Sequence, residues 1–150
     1  MAKLIMLIGI PGSGKTTYSK ELIKKYNAKV ISTDKVRQVY VGIEEKDVFP
    51  TVYNLCAEEL RSNNNVILDA THITPKVRKR SFDALDEYGV TYEKVAFFIN
   101  TPVDVCAFRV EERNKKPNEL ILPVDVVYSY GKNIIPPSEN EGFSEIYIIE

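Results

Sequence analysis

One histidine and two cysteines are the only imidazole and thiol groups in this 150-residue chain, and its formal net charge is only −1. Cys56 and Cys106 stand far apart with no metal-ligand spacing around them, which leaves two buried, reduced thiols as expected of a cytoplasmic protein. The near-zero charge excludes a general polyanion binder, so any contact with nucleic acid has to come from a local patch. No apolar run approaches the roughly 20 residues needed to cross a bilayer, and no membrane association is expected. Repeats and low-complexity segments are absent. Lys3 and the short apolar run after it superficially look like a leader, but the run leads straight into a glycine-rich loop and reads as a first strand.

What is present is an ordinary globular composition, 44% hydrophobic and 27% charged. A chain of this length buries about 68–70% of its unfolded surface, enough for a core, and is expected to form one domain over 1–150. Gly9-Ile10-Pro11-Gly12-Ser13-Gly14-Lys15-Thr16 fits the phosphate-loop pattern G-x-x-x-x-G-K-[ST] at every fixed position. The strand candidate Leu4–Ile8 precedes it and a helical pattern, 15–26, follows it. Gly9, Gly12 and Gly14 let the backbone come close to a ligand, so that successive N–H groups and the helix N-terminus face anionic oxygens. Lys15 is expected to reach the outer phosphates, and the Thr16 hydroxyl to ligate Mg²⁺. With Pro11, Ser13 and Thr17, these residues make up the expected nucleotide cradle.

Strand and helix candidates then alternate. Strands are expected at 29–32, 66–68, 95–100 and 146–149. Helical stretches are expected at 34–40, 47–62 (with Pro50 in its first turn), 75–88, 102–114 and 123–132. This alternation predicts an α/β fold of the P-loop kinase type, a three-layer sandwich whose five-stranded parallel sheet carries helices on both faces. Ligand then sits at the carboxyl ends of the strands.

Polar residues follow three of those strands. Asp34 reads equally as a general base for phosphoryl transfer to a hydroxyl or as a helix N-cap. Arg37, one turn on, shares a face with Asp34, either to hold a phosphorylated acceptor or as a surface ion pair. Asp69 ends its strand as a magnesium-associated aspartate does, through water, or as a turn residue. Thr71 and His72 follow it on the same edge, although a lone histidine is most often structural or solvated. Lys76, Arg78, Lys79 and Arg80 crowd the start of a helix, where positive charge opposes the dipole. That arrangement fits an anionic ligand near Arg78, or a solvated basic face. Arg109, Arg113, Lys115 and Lys116 lie in and after the 102–114 helix. They suit a basic lid over 109–122 that closes on the nucleotide, or a helix end complementing its dipole. The candidate acceptor contacts are therefore Arg37, Asp69, Thr71, His72 and Arg78.

Taken together, 8–17, 33–38 (Thr-Asp-Lys-Val-Arg-Gln), 69–75 (Asp-Ala-Thr-His-Ile-Thr-Pro), 112–114 (Glu-Arg-Asn) and 122–126 (Leu-Pro-Val-Asp-Val) resemble the kinase domain of the phage-type polynucleotide kinase family over nearly the whole chain. The resemblance implies transfer of the γ-phosphate of ATP to a nucleic-acid 5′-hydroxyl. Asp34 would be the base, Arg37 the holder of an acceptor phosphate, and Arg113 the catalytic arginine of a lid that touches the donor with Arg109 and Lys116. Two positions depart from the family. Pro117 stands where a second lid arginine is common, so Lys116, Arg113 or Arg109 substitutes or the lid works differently. His72 stands where asparagine is common. No Asp-x-Asp-x-Thr phosphatase motif occurs. The expected cofactors are ATP and Mg²⁺, the expected partner is a nucleic-acid 5′ end, and no stable protein partner is evident, although an oligomer is allowed. Rival readings are a kinase of a small acceptor (a nucleoside, nucleotide or sugar) and an ATP-binding switch without transfer.

Overall fold

Leu4 to Ile8 contains no polar side chain, and the reason is geometric: this strand lies at the centre of a sheet buried on both faces. The structure, a computed structural model, describes residues 1–117 and 121–150. Its strands are β1 (Lys3–Ile8), β2 (Lys29–Ser32), β3 (Val66–Asp69), β4 (Glu93–Ile99) and β5 (Glu145–Ile149). They pair in the order β2-β3-β1-β4-β5, all parallel. Between them run α1 (Lys15–Tyr26), α2 (Thr33–Val39), α3 (Glu45–Arg61), α4 (Pro75–Glu87), α5 (Val103–Asn114) and α6 (Val124–Asn133).

Period-two alternation divides the sheet between two cores. Leu4, Met6 and Ile8 face one side with Val66, Leu68, Ala96 and Phe98, where α3 and α4 supply Val52, Cys56, Leu60, Phe82 and Leu85. Ile5 and Leu7 face the other with Ile67, Val95 and Phe97, covered by Leu22 of α1. A third cluster joins α5 and α6 to the loop after β1 through Ile10, Cys106, Val110 and Val127. Both cysteines are buried and unpaired, as expected.

Helix α3 differs from expectation. It begins at Glu45, with Glu45 and Asp47 complementing the dipole of its first turn, so Pro50 lies two residues deeper than the sequence suggested, in the second turn.

The strand order creates the ligand crevice. The connection leaving β1 crosses β3 to reach β2, whereas the connection leaving β3 crosses β1 to reach β4. Neighbouring strands whose connections diverge open a cleft at their carboxyl ends. The loop 9–14 and Asp69 occupy that position.

Candidate active site

The loop after β1 is tied down from behind. Thr101 Oγ1 donates to Ser13 O at 2.7 Å, and Arg109 Nη1 donates to Gly12 O at 3.2 Å and Ser13 O at 3.4 Å. A planar trans peptide sends its N–H opposite to its carbonyl, so the Gly14 N–H is turned away from α5, into the cradle. Gly12 is required by packing as well as by conformation. Its φ is +82°, and a Cβ would lie 2.5 Å from Cys106 O. No side chain caps α1, which begins after Gly14 at φ +100°, so its first amides remain available to an anion.

Lys15 Nζ rests 3.2 Å from Ile10 O. Burial pulls its pKa below the ordinary lysine value, against the charges of Asp69 and Asp34 and in the same direction as Arg113. Thr16 Oγ1 donates to Asp69 Oδ2 at 3.3 Å. Burial raises the Asp69 pKa, opposed by Lys15. The loop also leans on β3's end, because Gly9 N–H donates to Thr71 O at 3.1 Å.

One strand over, Ser32 is the N-cap of α2, its hydroxyl accepting from Lys35 N–H at 3.0 Å. This leaves Asp34 without a capping role and exposed, and its charge acts on both Lys15 and Asp69. Arg37 Nη1 donates to Asp34 Oδ1 at 3.0 Å, so the one-turn spacing places the two together as expected. Arg37 also grips Glu45, the first residue of α3, with Nη2 to Oε1 at 2.8 Å and Nε to Oε2 at 3.0 Å. That hydrogen-bonded pair holds the Glu45 carboxyl below its usual range and raises Arg37. Sequence reasoning missed Glu45, because nothing in the primary structure says that the 40–44 turn folds α3 back onto α2.

Two expected acceptor contacts are corrected. Arg78 is fully buried. Its Nε and Nη2 bind the Glu141 carboxylate at 2.6 and 3.0 Å, and its Nη1 donates to His72 O at 2.7 Å and Ile135 O at 3.0 Å. Every face of the guanidinium is engaged, and the side chain clamps the chain after α6 onto the β3–α4 loop. The crowded basic helix start is thus relieved from inside, by Glu141, while Lys79 pairs with Asp83 within the helix. His72 is also buried, at 1% exposure, and presents nothing to an acceptor. Burial lowers its pKa to about 4, so the ring is neutral at pH 7. Nδ1–H donates to Leu7 O at 2.8 Å, and Nε2 has no partner. Its φ of +49° is the left-handed conformation that asparagine and histidine tolerate best among non-glycine residues.

The burial of Arg78 leads to a stability prediction. Arg78→Ala strips the charge partner from a carboxylate that is 11% exposed and takes a donor from three carbonyls, those of His72, Ile135 and Pro136. Breaking a buried pair this way costs about 3–5 kcal/mol. The urea midpoint should fall accordingly, and Arg78→Lys, lacking the planar fork, should recover only part of the loss. A midpoint unchanged in both variants would refute the clamp.

On the lid side, Arg109 is engaged with the loop carbonyls, while Arg113 and Lys116 are exposed and Lys115 pairs with Glu112. Asn114 was not anticipated as a fastener. Its side chain donates to Leu122 O at 2.7 Å and accepts from Leu122 N–H at 3.0 Å, drawing together the two ends of the 115–122 segment. The expected lid, 109–122, includes 118–120, which lie outside the described residues.

A family model described as an AAA domain matches residues 4–127. The chain is 32% identical over 127 residues to an L-seryl-tRNA(Sec) kinase of Methanococcus maripaludis, covering 79% of this chain and 49% of that protein. It spans about half the length of the curated relatives it matches. Among solved structures, the Pnkp1/Rnl/Hen1 RNA repair complex contains a similar chain (TM-score 0.76, 22% identity, 88% of this chain and 43% of that one). Chaetomium thermophilum Kti12 in complex with ADP-AlF3 superposes with a TM-score of 0.74 at 19% identity, over 97% of this chain and 88% of that one.

Proposed function

Because the chain belongs to the AAA-domain family of P-loop proteins, we propose that it is an ATP-dependent kinase that moves the γ-phosphoryl group to a 5′-hydroxyl of DNA or RNA. The observation that carries this reading is Asp34. It is an exposed carboxylate, outside the capping machinery of its helix, whose charge acts on the phosphate-loop lysine and on the carboxylate at the crevice floor. Transfer to a hydroxyl needs an acceptor for its proton, and a carboxylate in that place supplies one.

In this reading the amides at the start of α1 and Lys15 hold the β- and γ-phosphates. Asp34 takes the proton of the attacking 5′-hydroxyl, and the in-line oxygens are kept in register by the cradle on one side and Arg37 on the other. Arg113, at the end of α5, is the exposed arginine best placed to steady the transferring charge. Thr71 lies beside Asp69 on the acceptor edge. The hydroxyl and carboxylate oxygens of Thr16 and Asp69, already hydrogen-bonded to each other, are the hard donors Mg²⁺ prefers when substrate oxygens and waters complete its shell. Held there, Mg²⁺ would neutralise charge on the phosphates.

Exposed Val39, Tyr40 and Val41, two to four residues after Arg37, favour an acceptor that brings an apolar base alongside its phosphate over a bare sugar. The names of two relatives, an L-seryl-tRNA(Sec) kinase and a component of an RNA repair complex, support an RNA-borne acceptor. Among the described residues no helix is long and apolar enough to cross a membrane.

An acceptor panel with γ-labelled ATP and Mg²⁺ tests the reading. Label is expected at the 5′ ends of short DNA or RNA oligonucleotides. Label on free nucleosides or sugars alone would make this a small-acceptor kinase. ATP binding with no transfer to any hydroxyl would make it a switch.

A further inference from the structure

Arg37 is assigned above to an acceptor phosphate, yet its side-on face, the Nε and Nη2 pair that best matches two oxygens of one anion, already holds the Glu45 carboxylate at 3.0 and 2.8 Å. A third N–H goes to Asp34 at 3.0 Å. We propose that Glu45 is an internal stand-in for the acceptor's phosphate, occupying Arg37 until a phosphate-bearing acceptor displaces it. This inference rests on the kinase reading for its acceptor, but not for its chemistry.

Three features fit a displaceable occupant better than a structural strut. The pair is open to water, with side-chain exposures of 39% for Arg37 and 72% for Glu45, and exposed pairs of this kind contribute little to stability. Glu45 starts its own helix, so its side chain leaves Arg37 by a rotamer change without unpacking a core residue. Arg37 remains tethered to Asp34 through Nη1 when Glu45 leaves, so the guanidinium stays beside the base.

The consequence is a threshold for binding at Arg37. An acceptor without a phosphate cannot outcompete Glu45 and meets an arginine already neutralised. An acceptor with a phosphate near its reacting end exchanges one anion for another with more charge. Glu45 thereby weakens binding of every anionic acceptor by the same factor, and removing it should strengthen that binding.

The probe is inorganic phosphate, followed through the Arg37 Nε–H signal in ¹H–¹⁵N spectra of the whole chain, the signal being assigned by its loss in Arg37→Lys. Glu45→Gln and Glu45→Ala are each expected to bind phosphate at Arg37 about three- to five-fold more tightly than the parent, the upper part of the range that an exposed ion pair spans. Glu44→Gln removes the same charge one residue away, from a side chain that pairs with Lys46, and should titrate as the parent does. In turnover, Glu45→Gln should lower the KM of a 3′-phosphorylated nucleoside acceptor by a similar factor and leave the KM of ATP in place, a split that a structural prop would not produce. Unchanged or weaker phosphate binding in both Glu45 variants overturns the proposal. So does an equal gain in Glu44→Gln, which would reduce the effect to general surface charge. The spectra require no phosphoryl transfer, so a chain that fails to label oligonucleotides sinks the kinase reading while this titration still decides the role of Glu45.

Discussion

Lys15→Ala is expected to lower turnover on the order of 10³-fold or more while the protein stays folded. The ammonium is half-buried in the crevice, with one hydrogen bond, to Ile10 O at 3.2 Å. Burial already disfavours its charged form, so removing it relieves desolvation in the resting protein. The loop keeps its shape without it, because Thr101, Arg109 and the Gly9–Thr71 hydrogen bond hold the backbone from outside the cradle. In the proposed transfer, what is lost is a preorganised positive charge at the point where negative charge grows on the transferring group. A factor of 10³ corresponds to about 4 kcal/mol of barrier. Single-turnover transfer measured with a thermal melt on the same preparation checks both halves. Near-parent turnover would remove the loop from the chemistry, and a collapsed melt would make Lys15 structural.

Asp34→Asn carries the second large effect, a fall in kcat of about 10²–10⁴-fold with ATP affinity retained. Asparagine keeps the shape and keeps an oxygen for Arg37 Nη1, but it cannot accept the hydroxyl proton. The usual objection to such a variant is that the aspartate capped a helix. Here Ser32 supplies the cap, so even Asp34→Ala should melt near the parent. Before acceptor binds, Arg37 stays anchored by Glu45 in either variant. The decisive measurement is the rate with an oligonucleotide acceptor beside ATP binding by equilibrium titration. A variant that turns over within a few-fold of the parent would end the assignment of Asp34 as base.

Local pattern and tertiary context contributed to this site in different ways. Helix α1 and strand β2 lie where the sequence places them, 15–26 and 29–32, because a glycine start, an αL Asn27 stop and a short β-branched run are local signals. The uninterrupted apolar runs Leu4–Ile8 and Val66–Leu68 announced strands buried on both faces, and β1 and β3 are those strands. Helix α3 was misjudged at its start because acidic first-turn residues and an interior proline point to different boundaries, and the dipole prevailed over the proline.

Charge was the least legible quantity. Arg78 and Arg37 look alike in one dimension, each a basic residue just inside a helix after a strand. One is sealed against Glu141, 63 positions away, and the other faces water beside Asp34. No periodicity reports a partner at that distance. The His72 position was equally opaque, since a buried ring against Leu7 O depends on the left-handed backbone of His72 itself, in the loop after β3.

By itself, the order of residues determined the phosphate loop, the alternation of strands and helices and hence the parallel sheet, because each is written in spacings of a few residues. Only the folded chain decided the strand order that opens the crevice between β1 and β3, the meeting of Thr16 with Asp69, and which arginines are spent inside and which remain for a ligand. Those outcomes join residues up to nearly a hundred positions apart. They follow from which apolar faces must be buried together, and electrostatics then acts on whatever that burial has brought within reach.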